Sequence, residues 1–529
     1  MKSKTKKHSE RKKMSHTWKH DRAAENIDKR IKDVESVKIV DYVRDTDLES
    51  IPTAKAYKVD GVHLYADILN LEDMLHCTDF EGETCHKRTL RFLNQHFRAV
   101  DRILNKTDAK RVDFHNQRLH ALISKPYNTQ TGAEAARVNR AVAIAQLVID
   151  VLKQTGDSDE HIPDAKVRVG IDSGRALAVN NGRNGYREPL FLGEPANQAA
   201  KIANGGASGI FLTNAARKAI GLDSLEQPAK TALTREEIEA CQDKAALDVT
   251  AQTIVSEWEK DMENNPIGAF QFSRHTPPFR TMDIPSLTPA NSRRQEAISI
   301  YADIDGFTNY VNRHIDDRPE DVVKALHVIR AELERVLTSD FDGRRIRFIG
   351  DCIHGLLCEG TAQTTDIEET IRSGTLCAGA LRSSFDLALE KLGDNGVDTE
   401  GLGLAIGFEY GFMAVSRLGI KGGRVRCAVS RGVLASEREQ MGCTGVQTAI
   451  GQAAYDNAPD EIKKLFGSNR KKSDLDYDAA NAGQAEQTQK AESRQGGGLL
   501  RSAAPAAAAG GFSFPAKAAG PSKKPASFA

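Results

Sequence analysis

The stretch YADIDGFT at residues 301–308 places Asp303 at the end of an apolar run and follows it with a glycine turn. A carboxylate in that position can ligate a hard cation, and the neighbouring Ile304 carbonyl can face the same pocket. The amides of Gly306, Phe307 and Thr308 fall where a helix would start, and the free N–H groups of a helix start bind phosphate oxygens well. About 45 residues further on, RFIGDCIHGLL (347–357) reads as a β-hairpin with Gly350-Asp351 at its tip, which supplies a second carboxylate. Two strand-end carboxylates beside a phosphate nest suit two Mg²⁺ or Mn²⁺ ions.

The elements that must carry these residues occur twice. VHLYADILNLEDML (62–75) matches ISIYADIDGFTNYV (298–311), VDFHNQRLHALI (112–123) matches IRFIGDCIHGLL (346–357), and GIDSGRALAV (170–179) matches GFEYGFMAV (407–415). The matches run in the same order at nearly constant offset, which is the mark of a tandem duplication. In each block an apolar strand ends in an aspartate, Asp67 or Asp303. Amphipathic helices with apolar residues at i, i+3, i+4 and i+7 surround the hairpin. Strands mixed with helices on one face predict two tandem ferredoxin-like α+β domains.

The 529 residues carry 73 Lys and Arg against 73 Asp and Glu. Zero net charge argues against a chain held to nucleic acid or to an anionic membrane by bulk charge. No apolar run approaches the ~18 residues of a membrane span. The basic start MKSKTKKHSERKKM has no apolar stretch behind it, unlike a secretory signal. Eight cysteines without dense spacing fit a reducing, cytoplasmic setting. His76-Cys77 and Cys85-His86 match no zinc-binding spacing. The expected organisation is a basic N-terminal arm (1–57), a first domain (58–222), a connector (223–295), a second domain (296–467) and a disordered Ala/Gly/Pro-rich tail (468–529).

DIDGFT followed by FIGD resembles the class III nucleotidyl cyclases, and the resemblance covers both blocks. It implies a head-to-tail pair of catalytic domains, here a pseudo-heterodimer within one chain. One member supplies two metal-binding aspartates, and the other supplies an Asn and an Arg spaced N-x-x-x-R. The implied reaction is attack of the ribose 3′-OH on the α-phosphate, with pyrophosphate leaving. Carried over by position, the second block keeps both metal aspartates, Asp303 and Asp351, with Ile304 as the backbone ligand. The first block keeps Asp67 but has Asn116-Gln117 at its hairpin tip. GEPANQAAKIANGG (193–206) supplies Asn197 and, in place of Arg, Lys201; the second block has Leu434 and Arg438 there. The resemblance therefore implies one competent site, built from Asp303 and Asp351 of one block with Asn197 and Lys201 of the other.

Purine cyclases read the base three residues before the hairpin glycine and seven before the Asn. Those positions are Asp113 and Leu190 here, and they match neither the adenine nor the guanine pattern. The segment 56–75 looks like the bacterial pyrimidine cyclases of antiphage defence, which make cyclic UMP or cyclic CMP. The expectation is a cytoplasmic enzyme that cyclises UTP, or else CTP, using two divalent cations (Mn²⁺ or Mg²⁺). Its product would be read by a separate cyclic-nucleotide-binding effector. The alternatives are an adenylate cyclase with an atypical base pocket and a dead nucleotide-binding pseudoenzyme. No nucleic-acid or membrane partner is expected, and the chain would be a monomer with an internal pseudo-dimer or a higher homo-oligomer.

Overall fold

The computed structural model describes residues 16–44, 48, 50–128, 130–156, 162–180, 189–420 and 423–483. Within them the fold is mixed α+β, with two largely antiparallel sheets that repeat one strand order. In the first sheet the hairpin strands Lys110–His115 and Arg118–Ile123 lie beside Lys55–Ile68. Val167–Asn180 and Pro189–Leu192 follow on the other side. In the second sheet the hairpin Arg344–Ile349 and Cys352–Leu357 lies beside Ser292–Asp305, with Gly403–Leu418 next and Val425–Val429 paired to it.

The repeat extends to register. Tyr65 faces His120 across the first sheet, and Tyr301 faces His354 across the second. The rings stack with centroids 4.1 and 4.2 Å apart. These histidines pack in buried strand positions, and burial holds His354 down to about 3, so it is neutral.

Each sheet is covered on one face by long helices, Glu83–Lys106 and Ala133–Leu152 in the first half, Pro319–Arg335 and Ile367–Asp394 in the second. The two cores exchange residues. Ala414, Leu418, Val425 and Val429 of the second half pack into the first core, while Leu177, Val179, Leu190 and Leu192 of the first half pack into the second. Burying both strand ends in the opposite core joins the halves through apolar area as a domain core does.

Three segments depart from the expected organisation. The N-terminal arm contains the helix His20–Asp33, whose stripe of Ala23, Ile27 and Val34 is buried in the core of the second half. The strand Lys38–Asp41 then adds in parallel to Lys55–Ile68. In the connector, helices Arg235–Ala245 and Ala251–Asn264 pack on the first half, where the Trp258 indole donates to the Gln95 carbonyl at 3.1 Å. The tail does not become irregular at residue 468. Lys471–Ser473 pairs with Gln447–Ile450, and Leu475, Tyr477 and Ala480 are buried. These three residues give that segment the apolar anchors its Ala/Gly/Pro-rich continuation lacks. Residues 484–529 and 1–15 lie outside the described residues.

The N-terminal helix is fixed by more than its apolar stripe. Arg22 Nη1 donates to Glu332 Oε1 at 2.5 Å and Nη2 pairs with Asp340. The Glu332 carboxylate is fully buried and also accepts from Asn26 at 2.6 Å and Ser384 at 2.9 Å. Removing one partner of a buried pair leaves an uncompensated charge, at a cost of about 3 kcal/mol. Arg22→Ala should lower the urea midpoint by a corresponding amount. A midpoint within error of wild type would mean that this helix does not stabilise the second half.

Candidate active site

The site is built where the second sheet's central strand ends. Ala302 pairs with Ile353, so Asp303, one residue further on, emerges beside Cys352 and the hairpin tip. There its carboxylate meets that of Asp351. Burial, and then the charge of Asp305, pushes Asp303 up to about 6. Asp351 is raised well above the ordinary carboxylate range by burial and then by Asp303, against the opposing pull of Arg330. Two half-buried carboxylates that repel each other form a site whose charge a divalent cation would neutralise.

Among the described residues no third His, Cys, Asp or Glu completes a metal cage. That donor set suits Mg²⁺ or Mn²⁺, which commonly take one or two carboxylates and fill the remaining positions from phosphates and water. Ile304, the expected backbone ligand, is buried and held in register by Leu404.

Gly306 follows at φ +79°, a left-handed residue from which the helix Phe307–His314 starts. A Cβ at this position would lie 2.2 Å from the Gly401 carbonyl oxygen, so only glycine fits both the angle and the approach. The first-turn amides of that helix have no acceptor within it and can face an anion.

The other half reaches this loop directly. Asn197, in the helix Glu194–Ala203, donates from Nδ2 to Thr308 Oγ1 at 3.0 Å. Asn197, Phe307, Thr308 and Asp351 line one cavity of about 120 Å³, and Asp113 and Leu190 stand in its wall. Six of the expected site residues are thus gathered around one space. Asp303, Ile304 and Gly306 are not in its wall, and neither is Lys201. It lies four residues along from Asn197 but is exposed, on the wall of a neighbouring cavity with Asp172 and Asp316.

At the equivalent place in the first half the strand-end aspartate has an internal partner. Asp67 faces Arg118 across the strands and pairs with Arg118 Nη2 at 3.1 Å. Asn116 keeps the left-handed turn at φ +48°, as Gly350 does at +61°. The tip carboxylate, however, is replaced by Gln117, which is neutral. Leu434 is buried, and Arg438 is engaged by Glu72 at 2.6 Å.

Two arginines escaped the sequence reading. Arg118 occupies the position of Cys352 in the repeat. Arg347 occupies that of Asp113, and the two meet across the halves, with Arg347 Nη2 2.7 Å from Asp113 Oδ1. Opposite charges at equivalent hairpin positions were the available signal. Asp113 Oδ1 also accepts the Phe114 amide at 2.8 Å.

The chain is similar to known proteins. Residues 57–240 match the family model described as the adenylate and guanylate cyclase catalytic domain. A relative named uridylate cyclase, from Pseudomonas aeruginosa, is 66% identical over 88% of this chain and 91% of its own length. Another of that name, from a Rhizobium species, is 43% identical over 79% of this chain and 82% of its own. A crystal structure from Pseudomonas aeruginosa, described as a class III adenylyl cyclase-like ATP-binding protein, superposes with a TM-score of 0.88 at 65% identity. It covers 89% of this chain and 100% of that one. The chain belongs to the class III nucleotidyl cyclases. Among the described residues no helix is long and apolar enough to cross a membrane.

The unequal halves give a paired expectation. Asp303→Ala or Asp351→Ala should reduce turnover to background in a steady-state assay, whereas Gln117→Ala should stay within about twofold of wild type, since it removes no charge. A large loss at Gln117 would mean that the first hairpin tip takes part.

Proposed function

We propose that this chain is a uridylate cyclase, converting UTP to 3′,5′-cyclic UMP and pyrophosphate at one site shared by its two halves. The observation that carries the reading is the Asn197–Thr308 contact, which joins the helix of one half to the phosphate loop and carboxylates of the other. The two halves then act as a pseudo-heterodimer within one chain. Asp303, Asp351 and the Ile304 carbonyl are the groups that would hold two divalent cations, Mn²⁺ or Mg²⁺. Bound there, the cations would neutralise triphosphate charge and favour ionisation of the ribose 3′-OH.

The remaining work falls to the chain's own groups. The amides of Gly306, Phe307 and Thr308 take phosphate oxygens. Asn197 orients the ribose so that the 3′ oxygen lies in line with the α-phosphorus. Lys201 is one helical turn from Asn197 and would have to swing from its exposed position to meet charge developing on the α-phosphate.

Asp113 offers a carboxylate acceptor in the cavity wall beside the apolar Leu190. The N3–H of uracil can donate to such an acceptor, whereas cytosine presents an unprotonated N3 there. The two relatives named uridylate cyclase support the same choice of base over CTP. A cyclic pyrimidine nucleotide suits a second messenger read by a separate effector, as in antiphage signalling. The ATP-binding description of the Pseudomonas aeruginosa structure makes an adenylate cyclase with an atypical base pocket the second reading.

Purified protein incubated with each of the four nucleoside triphosphates and Mn²⁺ should yield cyclic UMP from UTP as the main product by mass spectrometry. Cyclic AMP as the sole product would overturn the pyrimidine assignment. Asn197→Ala should lower kcat by about 10²–10³-fold with a smaller change in KM, as expected for a group that acts in the transition state. An unchanged kcat would remove Asn197 from the reaction.

A further inference from the structure

A second cavity, of about 500 Å³, is lined in part by the strand Arg344–Ile349. Arg30, Arg330, Arg335, Arg344, Arg345 and Arg426 all line it, and its described wall contains one carboxylate, Glu334. These side chains come from distant parts of the chain. Arg30 is on the N-terminal helix, Arg330 and Arg335 are on Pro319–Arg335, Arg344 and Arg345 are on the hairpin, and Arg426 is on Val425–Val429. Like charges brought together by four separate elements repel, so each element loses electrostatic energy when the cavity forms.

Part of that charge is answered within the protein. Arg30 pairs with Asp33 at 2.8 Å and Arg345 with Glu334 at 2.8 Å. The Arg330 guanidinium lies over the Phe348 ring at 3.7 Å, and that of Arg345 at 4.5 Å. Arg330, Arg345 and Arg426 are each less than a tenth exposed. Burial, with Arg345 adding to it, brings Arg330 down to about 9, and burial alone brings Arg426 down to about 10. The remaining wall is mixed, with Val179, Val323, Leu326 and Phe348 beside the polar Thr53, Asn180, His327, Thr338 and Ser339. Guanidinium forks matched to phosphate geometry, next to these apolar side chains in a cavity of ligand size, make a composite suited to one kind of molecule.

We infer that this arginine-lined cavity is a second binding site, distinct from the catalytic one, for a phosphorylated small molecule of nucleotide size. Its phosphates take the forks of Arg335, Arg344 and Arg426, and any organic part lies on Val179, Leu326 and Phe348. The site bridges the N-terminal helix, the first half and the second half. Its wall includes Arg344, Arg345 and Phe348 of the strand whose hairpin tip carries Asp351. The inference is independent of which nucleotide is cyclised.

Isothermal titration calorimetry of the full chain in EDTA, where cation-assisted binding at the catalytic site is suppressed, tests it. The titrants are UTP, ATP and inorganic tripolyphosphate. Binding is expected in wild type, weakened about tenfold or more in the Arg335→Gln/Arg344→Gln variant and unchanged in Asn197→Ala. Equal affinity for tripolyphosphate and nucleotides would assign the site to the phosphate chain, and tighter nucleotide binding would add the organic part; both support the inference. The single exposed change Arg335→Gln, which leaves the packing intact, should give a smaller loss in the same direction. No binding in EDTA, or binding indifferent to both arginine variants, would overturn it.

Discussion

Two carboxylates that repel one another, Asp303 and Asp351, are held side by side at the end of one sheet, and much of the architecture exists to hold them there. The strand Ser292–Asp305 fixes the first by pairing on both edges, and the hairpin turn at Gly350 fixes the second. Bringing like charges into a half-buried site is unfavourable unless a cation completes it, so the arrangement makes sense as half of a binding equilibrium. The first half of the chain shows the alternative outcome. There the same strand-end aspartate survives as Asp67, but Arg118 neutralises it from within, and the tip carboxylate has become Gln117. One protein thus contains a pair of mutually repelling carboxylates and, at the equivalent place in the repeat, an aspartate paired with an arginine.

The first half still has work to do. Its helix Glu194–Ala203 brings Asn197 to Thr308 of the other half, and its Leu177, Val179, Leu190 and Leu192 are buried in the other core. This exchange of apolar strand ends gives the two halves shared cores. The Asp113–Arg347 pair also joins the halves, and the two residues occupy equivalent positions in the repeat with opposite charges. The two copies of the repeat thus carry different charged residues at equivalent positions.

The duplicated frame, the hairpin tips and the strand-end aspartates were legible in the sequence because local pattern encodes them: an apolar run, a glycine turn, a carboxylate at fixed spacing. Asn197 was legible by resemblance. Arg118 and Arg347 were not, because their roles depend on which residues lie across a strand or across the halves, and a one-dimensional pattern does not reveal that. Lys201 exposes another limit. Its spacing from Asn197 was readable, but the cavity its side chain lines is set by how the helix sits against Asp316 and its neighbours. The helix His20–Asp33 had a visible apolar stripe, yet its partner is a core some 300 residues away, with Arg22 reaching Glu332 and Asp340. The short anchored segment 471–480 was masked by the Ala/Gly/Pro-rich composition of the residues C-terminal to it.

The most direct measurement is an anomalous-scattering crystal structure of the protein with Mn²⁺ and a non-cyclisable UTP analogue. The account predicts manganese between Asp303 and Asp351, the ribose within hydrogen-bonding reach of Asn197, and an intact, metal-free Asp67–Arg118 pair. Manganese bound at Asp67 and Gln117, or a ribose held away from Asn197, would contradict it.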